Sequence, residues 1–109
     1  MHFFTVLSDP VRRRIVEHLI GNSMSSGEIV DRVGEEFGIT QSAISQQLKV
    51  LRENGFATVI ADGNRRIYSL DTSGFEEIET WLKPFQRFWD PKFVALAKEI
   101  ARGKKKRKR

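Results

Sequence analysis

The spacing of apolar residues changes several times along the chain, and each change predicts an element. Phe3, Phe4, Val6 and Leu7 begin a short helical segment. Ser8-Asp9-Pro10 interrupts it: Ser8 or Asp9 can cap, and Pro10 suits the first turn of a new helix. Val11, Ile15, Leu19 and Ile20 then recur at helical spacing, predicting a second helix from Pro10 to about Ile20, stopped by Gly21-Asn22. Ser25 followed by Glu28 is a capping-box signature for a third helix, whose apolar stripe would be Ile29, Val30, Val33 and Phe37, with Gly34 weakening its middle. Gly38-Ile39 makes a tight corner before Thr40, which can cap a fourth helix from Gln41 to Asn54 that Gly55 ends.

Beyond Gly55 the period shortens. Strand formers occupy Phe56 to Ile60 and Ile67 to Leu70, and Asp62-Gly63-Asn64 between them is a hairpin signal, so a two-stranded ribbon is expected. Ser73 with Glu76 forms a second capping box, opening a long helical region that carries Ile78, Trp81, Leu82, Phe85, Phe88, Trp89, Phe93, Leu96 and Ile100. Pro84 and Pro91 should bend or divide it. The order of four helices, a hairpin and a helix is the layout of a winged helix-turn-helix, so the expected fold class is mainly α with a small β-hairpin.

Charge changes this picture only after it is divided. The chain of 109 residues carries net +5, but its last six residues, Lys104 to Arg109, are all basic. Removing them from the 19 basic residues leaves 13 against 14 acidic ones, so the body is close to neutral. The expected division is therefore a domain over 1-102 and a disordered basic tail over 103-109, since the tail has no apolar surface to bury. With no cysteine there is no disulfide framework, no thiolate zinc site and no thiol nucleophile, and the reading is of a non-enzyme without a cofactor. Neither a membrane span nor a secretory pattern is visible, and a cytoplasmic location is expected.

The fourth helix carries the chemistry. Ile44, Leu48 and Leu51 bury one side, leaving Gln41, Ser42, Ser45, Gln46, Lys49 and Arg52 along another. Small hydroxyls let a helix approach a groove floor, Gln pairs with base edges such as adenine N6 and N7, and Lys49 can meet a phosphate. Serine is a mediocre helix former, so a surface without a partner would gain from Glu or Lys at Ser42 and Ser45. Arg65 and Arg66 follow the hairpin turn, where they can clamp a backbone or enter a minor groove. The candidate DNA-binding set is Thr40, Gln41, Ser42, Ser45, Gln46, Lys49, Arg65 and Arg66.

Three strings carry a family resemblance: Ser8-Asp9-Pro10-Val11-Arg12-Arg13-Arg14-Ile15, the run from Thr40 to Gly55, and Arg65-Arg66-Ile67-Tyr68-Ser69-Leu70. In these the chain resembles the ArsR-like bacterial winged-helix regulators, from about Phe3 to Ile100. The resemblance implies a dimeric repressor whose first and last helices pair the subunits, with double-stranded DNA as partner. Gln47 stands where many relatives carry His. Many members sense metals through thiolates in the third helix or through His and carboxylates in the last. Here the only histidines are His2 and His18, so no metal is expected. Glu76, Glu77 and Glu79 are read as complementing a helix dipole. The stretch Asp31 to Phe37 looks about one turn longer than in short members.

The aromatic residues Trp81, Phe85, Phe88, Trp89 and Phe93 are too many for one small protomer to cover. Together with Phe3, Phe4 and Leu7, the residues Trp81, Phe85, Phe88 and Trp89 form the expected dimer interface. Two alternatives stay open: a winged-helix protein-interaction module without DNA binding, and an effector-responsive regulator with an aromatic pocket.

Overall fold

The computed structural model describes residues 1–107, with side chains through Gly103. Its elements are α1 (Phe3–Ser8), α2 (Pro10–His18), β1 (Met24–Ser25), α3 (Ser26–Phe37), α4 (Gln41–Glu53), β2 (Ala57–Asp62), β3 (Arg65–Leu70), α5 (Ser73–Leu82), a 3-10 helix (Lys83–Phe88) and α6 (Pro91–Arg107). They fall into two compact units, Met1–Glu77 and the chain from Ile78 onward.

Caps set most of the boundaries in the first unit. The Asp9 carboxylate accepts from the backbone N–H of Val11 at 2.8 Å and of Arg12 at 3.2 Å, starting α2 one residue ahead of Pro10. The last four carbonyls of α1 have no N–H partner within so short a helix, and that of Thr5 accepts from the Ser8 hydroxyl at 2.7 Å. Arg12 donates to those of Thr5 and Val6, and Arg13 to those of Leu7 and Ser8. The paired arginines after the Asp-Pro turn thus close the helix that precedes them. Helix α3 opens with the expected capping box of Ser25 and Glu28 and ends at Gly38, whose φ of 63° lies in the left-handed region. Thr40 Oγ1 then accepts from the Ala43 N–H at 3.1 Å and starts α4.

Four details differ from expectation. The sheet has three strands in the order β1-β3-β2, all antiparallel, because Met24 and Ser25 pair with Tyr68 and Ile67. Two residues are too short a run to show a period, so only the tertiary pairing makes them a strand. The hairpin is longer than its apolar run, with Asp62 opposite Arg65 and a loop of Gly63-Asn64 alone. Gly63 has φ 61° and no non-glycine residue among the described residues has positive φ, the arrangement of a II′ turn. Arg65 and Arg66 are therefore strand residues, continuing the ladder where cross-strand hydrogen bonds outweigh their low apolar content. At α5 the cap is Asp71, which accepts from the Ser73 N–H at 2.9 Å and the Ser73 hydroxyl at 2.8 Å, while Glu76 bonds Thr72 instead of closing a box with Ser73. In α3 the buried stripe narrows to Ile29 and Val33; Val30 is half-buried, and Phe37, the last residue of the helix, is exposed.

The core of this unit joins Ile15 of α2, Leu19 just past its end, Met24 of β1, Ile29 of α3, Ile44 and Leu51 of α4, and Phe56 ahead of β2. The rings of Phe56 and Phe75 meet edge to face at 5.1 Å. Gly74 lies flat on Phe56: a Cβ there would stand 2.6 Å from the ring.

In the second unit Pro84 and Pro91 divide the final helical region as expected, Pro84 within the 3-10 helix and Pro91 at the first position of α6. Arg87, Phe88, Phe93, Leu96, Ala97 and Ile100 line a shallow apolar concavity. The helix continues to Arg107, past the compositional boundary at residue 102, since extending a formed helix adds a hydrogen bond per residue without a new nucleus. Side chains from Lys104, and residues 108 and 109 altogether, where part of the expected tail falls, lie outside the described residues. Among the described residues no helix is long and apolar enough to cross a membrane.

Candidate nucleic-acid interface

Helix α4 buries Ile44, Leu48 and Leu51 and turns Gln41, Ser42, Ser45, Gln46 and Lys49 to the surface, the division its period predicts. Beside it lies an open concavity of about 570 Å³. Gln41, Ser45, Lys49 and Arg52 line it from α4; Ser26, Gly27 and Asp31 line it from the start of α3; Arg66 lines it from β3. The helix pair α3 and α4 and the later strand β3 thus bring hydrogen-bonding side chains and two guanidinium groups to one groove. Ser42 and Gln46 are exposed on α4 outside this lining. Thr40 is committed to the helix cap. Lys49 stands 3.9 Å from Glu53, an exposed i,i+4 pair too weak to hold it from another anion.

The two wing arginines have separate surroundings. Arg66 borders the groove, whereas Arg65 Nη2 donates to Glu28 Oε1 at 3.1 Å. Glu28 is already in the capping box, where the Ser25 backbone N–H, chiefly, and the Ser25 hydroxyl hold its carboxyl below the ordinary range. Arg65 so ties the turn end of the wing to the start of α3. This pairing had no signal in sequence, since positions 28 and 65 meet only through the sheet.

On the far side of α3, Glu36 bridges to α2: Arg14 Nε donates to its Oε2 at 2.7 Å, and His18 Nε2 hydrogen-bonds its Oε1 at 2.7 Å. The Arg14 hydrogen bond, followed by that of His18, lowers the Glu36 carboxyl pKa. His18, expected as a surface or partly buried helix residue, is a partner in this bridge. Among the described residues no group of three or more histidines and carboxylates is placed to hold a metal ion.

Of the residues expected at a dimer interface, Phe4, Trp81, Phe85, Phe88 and Trp89 are exposed and Leu7 is half-buried. Phe3, also expected there, is only 7% exposed and packs in the protomer core. Its place in a very short helix left its direction undetermined by periodicity. Sequence reasoning also missed Arg12 Nη1 donating to Gln47 Oε1 at 2.6 Å, a link between α2 and α4 across 35 positions.

A family model described as a helix-turn-helix domain matches residues 7–60. The chain is 38% identical over 76 residues to the uncharacterized HTH-type transcriptional regulator Rv0081 of Mycobacterium tuberculosis, covering 70% of this chain and 64% of that protein. It is 35% identical over 85 residues to the transcriptional repressor SdpR of Bacillus subtilis, covering 75% of this chain and 87% of that protein. A crystal structure of a possible transcriptional regulator for arsenical resistance superposes with a TM-score of 0.65 at 30% identity, covering 91% of this chain and 96% of that one. Helix-turn-helix, wing and relatives agree, and the chain belongs to the ArsR-like family of winged helix-turn-helix transcriptional regulators.

Proposed function

We propose that the chain is a homodimeric, sequence-specific DNA-binding repressor that sets α4 in the major groove of each half of an inverted repeat, with the β2-β3 wing alongside. The observation that carries this reading is the groove in which Gln41, Ser45 and Lys49 of α4 meet Arg66 of the wing. Gln and Ser suit base edges, and Lys and Arg suit phosphates, so one surface offers both readout and positioning. Thr40, Ser42, Gln46 and Arg65 belong to the same proposed interface, Thr40 through the helix cap and Arg65 through its hold on the wing. The sign of regulation follows SdpR, which is named a transcriptional repressor.

Dimerisation is proposed through the exposed rings of Phe4, Trp81, Phe85, Phe88 and Trp89, together with the half-buried Leu7. A two-fold pair presents two copies of α4, so half-site centres fall roughly one helical turn, or a multiple of it, apart. No metal, cofactor or catalytic step enters this reading, and a cytoplasmic location fits it. Selection of bound fragments from random DNA, followed by gel shift, tests the proposal. Enrichment of an imperfect inverted repeat is expected; a protein-interaction module would enrich nothing.

A further inference from the structure

We infer that Arg12 is a positioning residue for α4: it pegs that helix, through Gln47, to the C-terminal end of α1. The inference rests on the DNA-reading role proposed for α4 and adds a residue far from the groove that sets its accuracy.

The Arg12 side chain is 11% exposed, and each guanidinium nitrogen is engaged. Nε donates to the Val6 carbonyl at 2.6 Å, Nη2 to the Thr5 carbonyl at 3.1 Å, and Nη1 to Gln47 Oε1 at 2.6 Å. The Asp9 carboxylate stands 3.8 Å from Nη1 and balances the charge. A guanidinium is planar and rigid, so these acceptors are held in one relative geometry: α1 cannot slide on α4 without breaking a charge-assisted bond.

Helix α4 is otherwise seated by Ile44, Leu48 and Leu51. Apolar burial is non-directional and leaves a helix free to rock about its axis. Its remaining side-chain bonds are local, with Lys49 facing Glu53 and Asn54 donating to the Val50 carbonyl. The Gln47 bond instead reaches an element 35 positions away and fixes rotation. Gln46 and Ser45 precede Gln47 on the same helix, so a rotation that frees Gln47 swings both away from their base edges.

The test uses the full-length chain with Gln47→Met, which keeps length but removes the acceptor, with Arg12→Lys, which keeps charge but cannot span the three acceptors, and with both together. Amide hydrogen exchange across α4 is measured first. Discrimination between the selected repeat and a single-base variant follows, with affinity for random DNA as control. Each single change should quicken exchange in α4 and lower discrimination by roughly threefold or more, leaving random-DNA affinity unchanged, and the double variant should be no worse than Arg12→Lys. A generic loss of stability would not spare random-DNA binding while lowering base preference. Unaltered exchange and discrimination, or losses that simply add in the double variant, overturn the inference. If the unsubstituted chain prefers no sequence, the DNA-reading proposal falls instead, and the exchange measurement still decides the peg. If Arg12→Lys does not fold, Gln47→Met alone decides it.

Discussion

Single side chains determine whether the proposed interface reads sequence or merely attracts DNA. Gln46 is exposed on α4 with an amide able to make two hydrogen bonds to an adenine edge. Gln46→Ala should relax preference at one base position per half-site, at about 1–3 kcal/mol for a bidentate contact. Lost affinity with intact preference, in a binding series over single-base operator variants, would remove Gln46 from base reading. Gly74 has an opposite role, wholly inside the fold. A Cβ 2.6 Å from the Phe56 ring must displace a fully buried side chain, so Gly74→Ala should cost about 1–3 kcal/mol as over-packing. The urea midpoint reports it, and an unchanged midpoint would mean that the ring yields freely. The base-reading candidates were legible in sequence because helical period separates them from Ile44, Leu48 and Leu51. Gly74 was not, because nothing in the order of residues places Phe56 over it.

Elements in this chain are bounded and joined by carboxylates, and that makes their stability sensitive to acid. Glu28 is held below the ordinary glutamate value of 4.5 by the Ser25 backbone N–H and then the Ser25 hydroxyl, Glu36 by Arg14 and then His18, and Asp71 below 3.8 by the Ser73 backbone N–H. A folded-state pKa below the unfolded one contributes stability that is full above the unfolded value and lost as pH falls through the folded one. Urea midpoints should therefore be level on this account at neutral pH and fall as acid passes 4.5 and goes lower. Glu28→Gln should flatten part of that decline; an identical acid slope in the variant would separate the capping box from it. The caps themselves, Asp9, Ser25 and Thr40, were readable from residue type and spacing. Strand β1 was not, since its identity depends on Tyr68 and Ile67 more than forty positions later.

At the scale of the whole molecule, predictions turn on surfaces that one protomer leaves exposed. Phe85 and Phe88 stand exposed in the second unit, and light scattering at tens of micromolar should give twice the mass of the 109-residue chain. Replacing both rings with polar residues should shift that mass towards the monomer. A clean monomer in the unsubstituted protein would sink the homodimer. The basic end is proposed as a phosphate-contacting arm without base specificity. Deleting 103–109 should lower affinity for operator and random DNA by similar factors and reduce the log–log salt slope by up to about 0.9 per lost phosphate contact. An unchanged slope would make the end inert, and a changed base preference would make it a reader.

Residue order alone specifies the helix-turn-helix, its caps, the hairpin and the polar face of α4, because capping, turn chemistry and helical period act over a few residues. Tertiary structure alone decided what lies across those elements: that β1 completes the sheet, that Arg65 holds Glu28 while Arg66 borders the groove, and that Arg12 reaches Gln47. It also turned Phe3 into the core. These are contacts between positions far apart in the chain, which residue order does not encode until burial of the shared core brings them within hydrogen-bond distance.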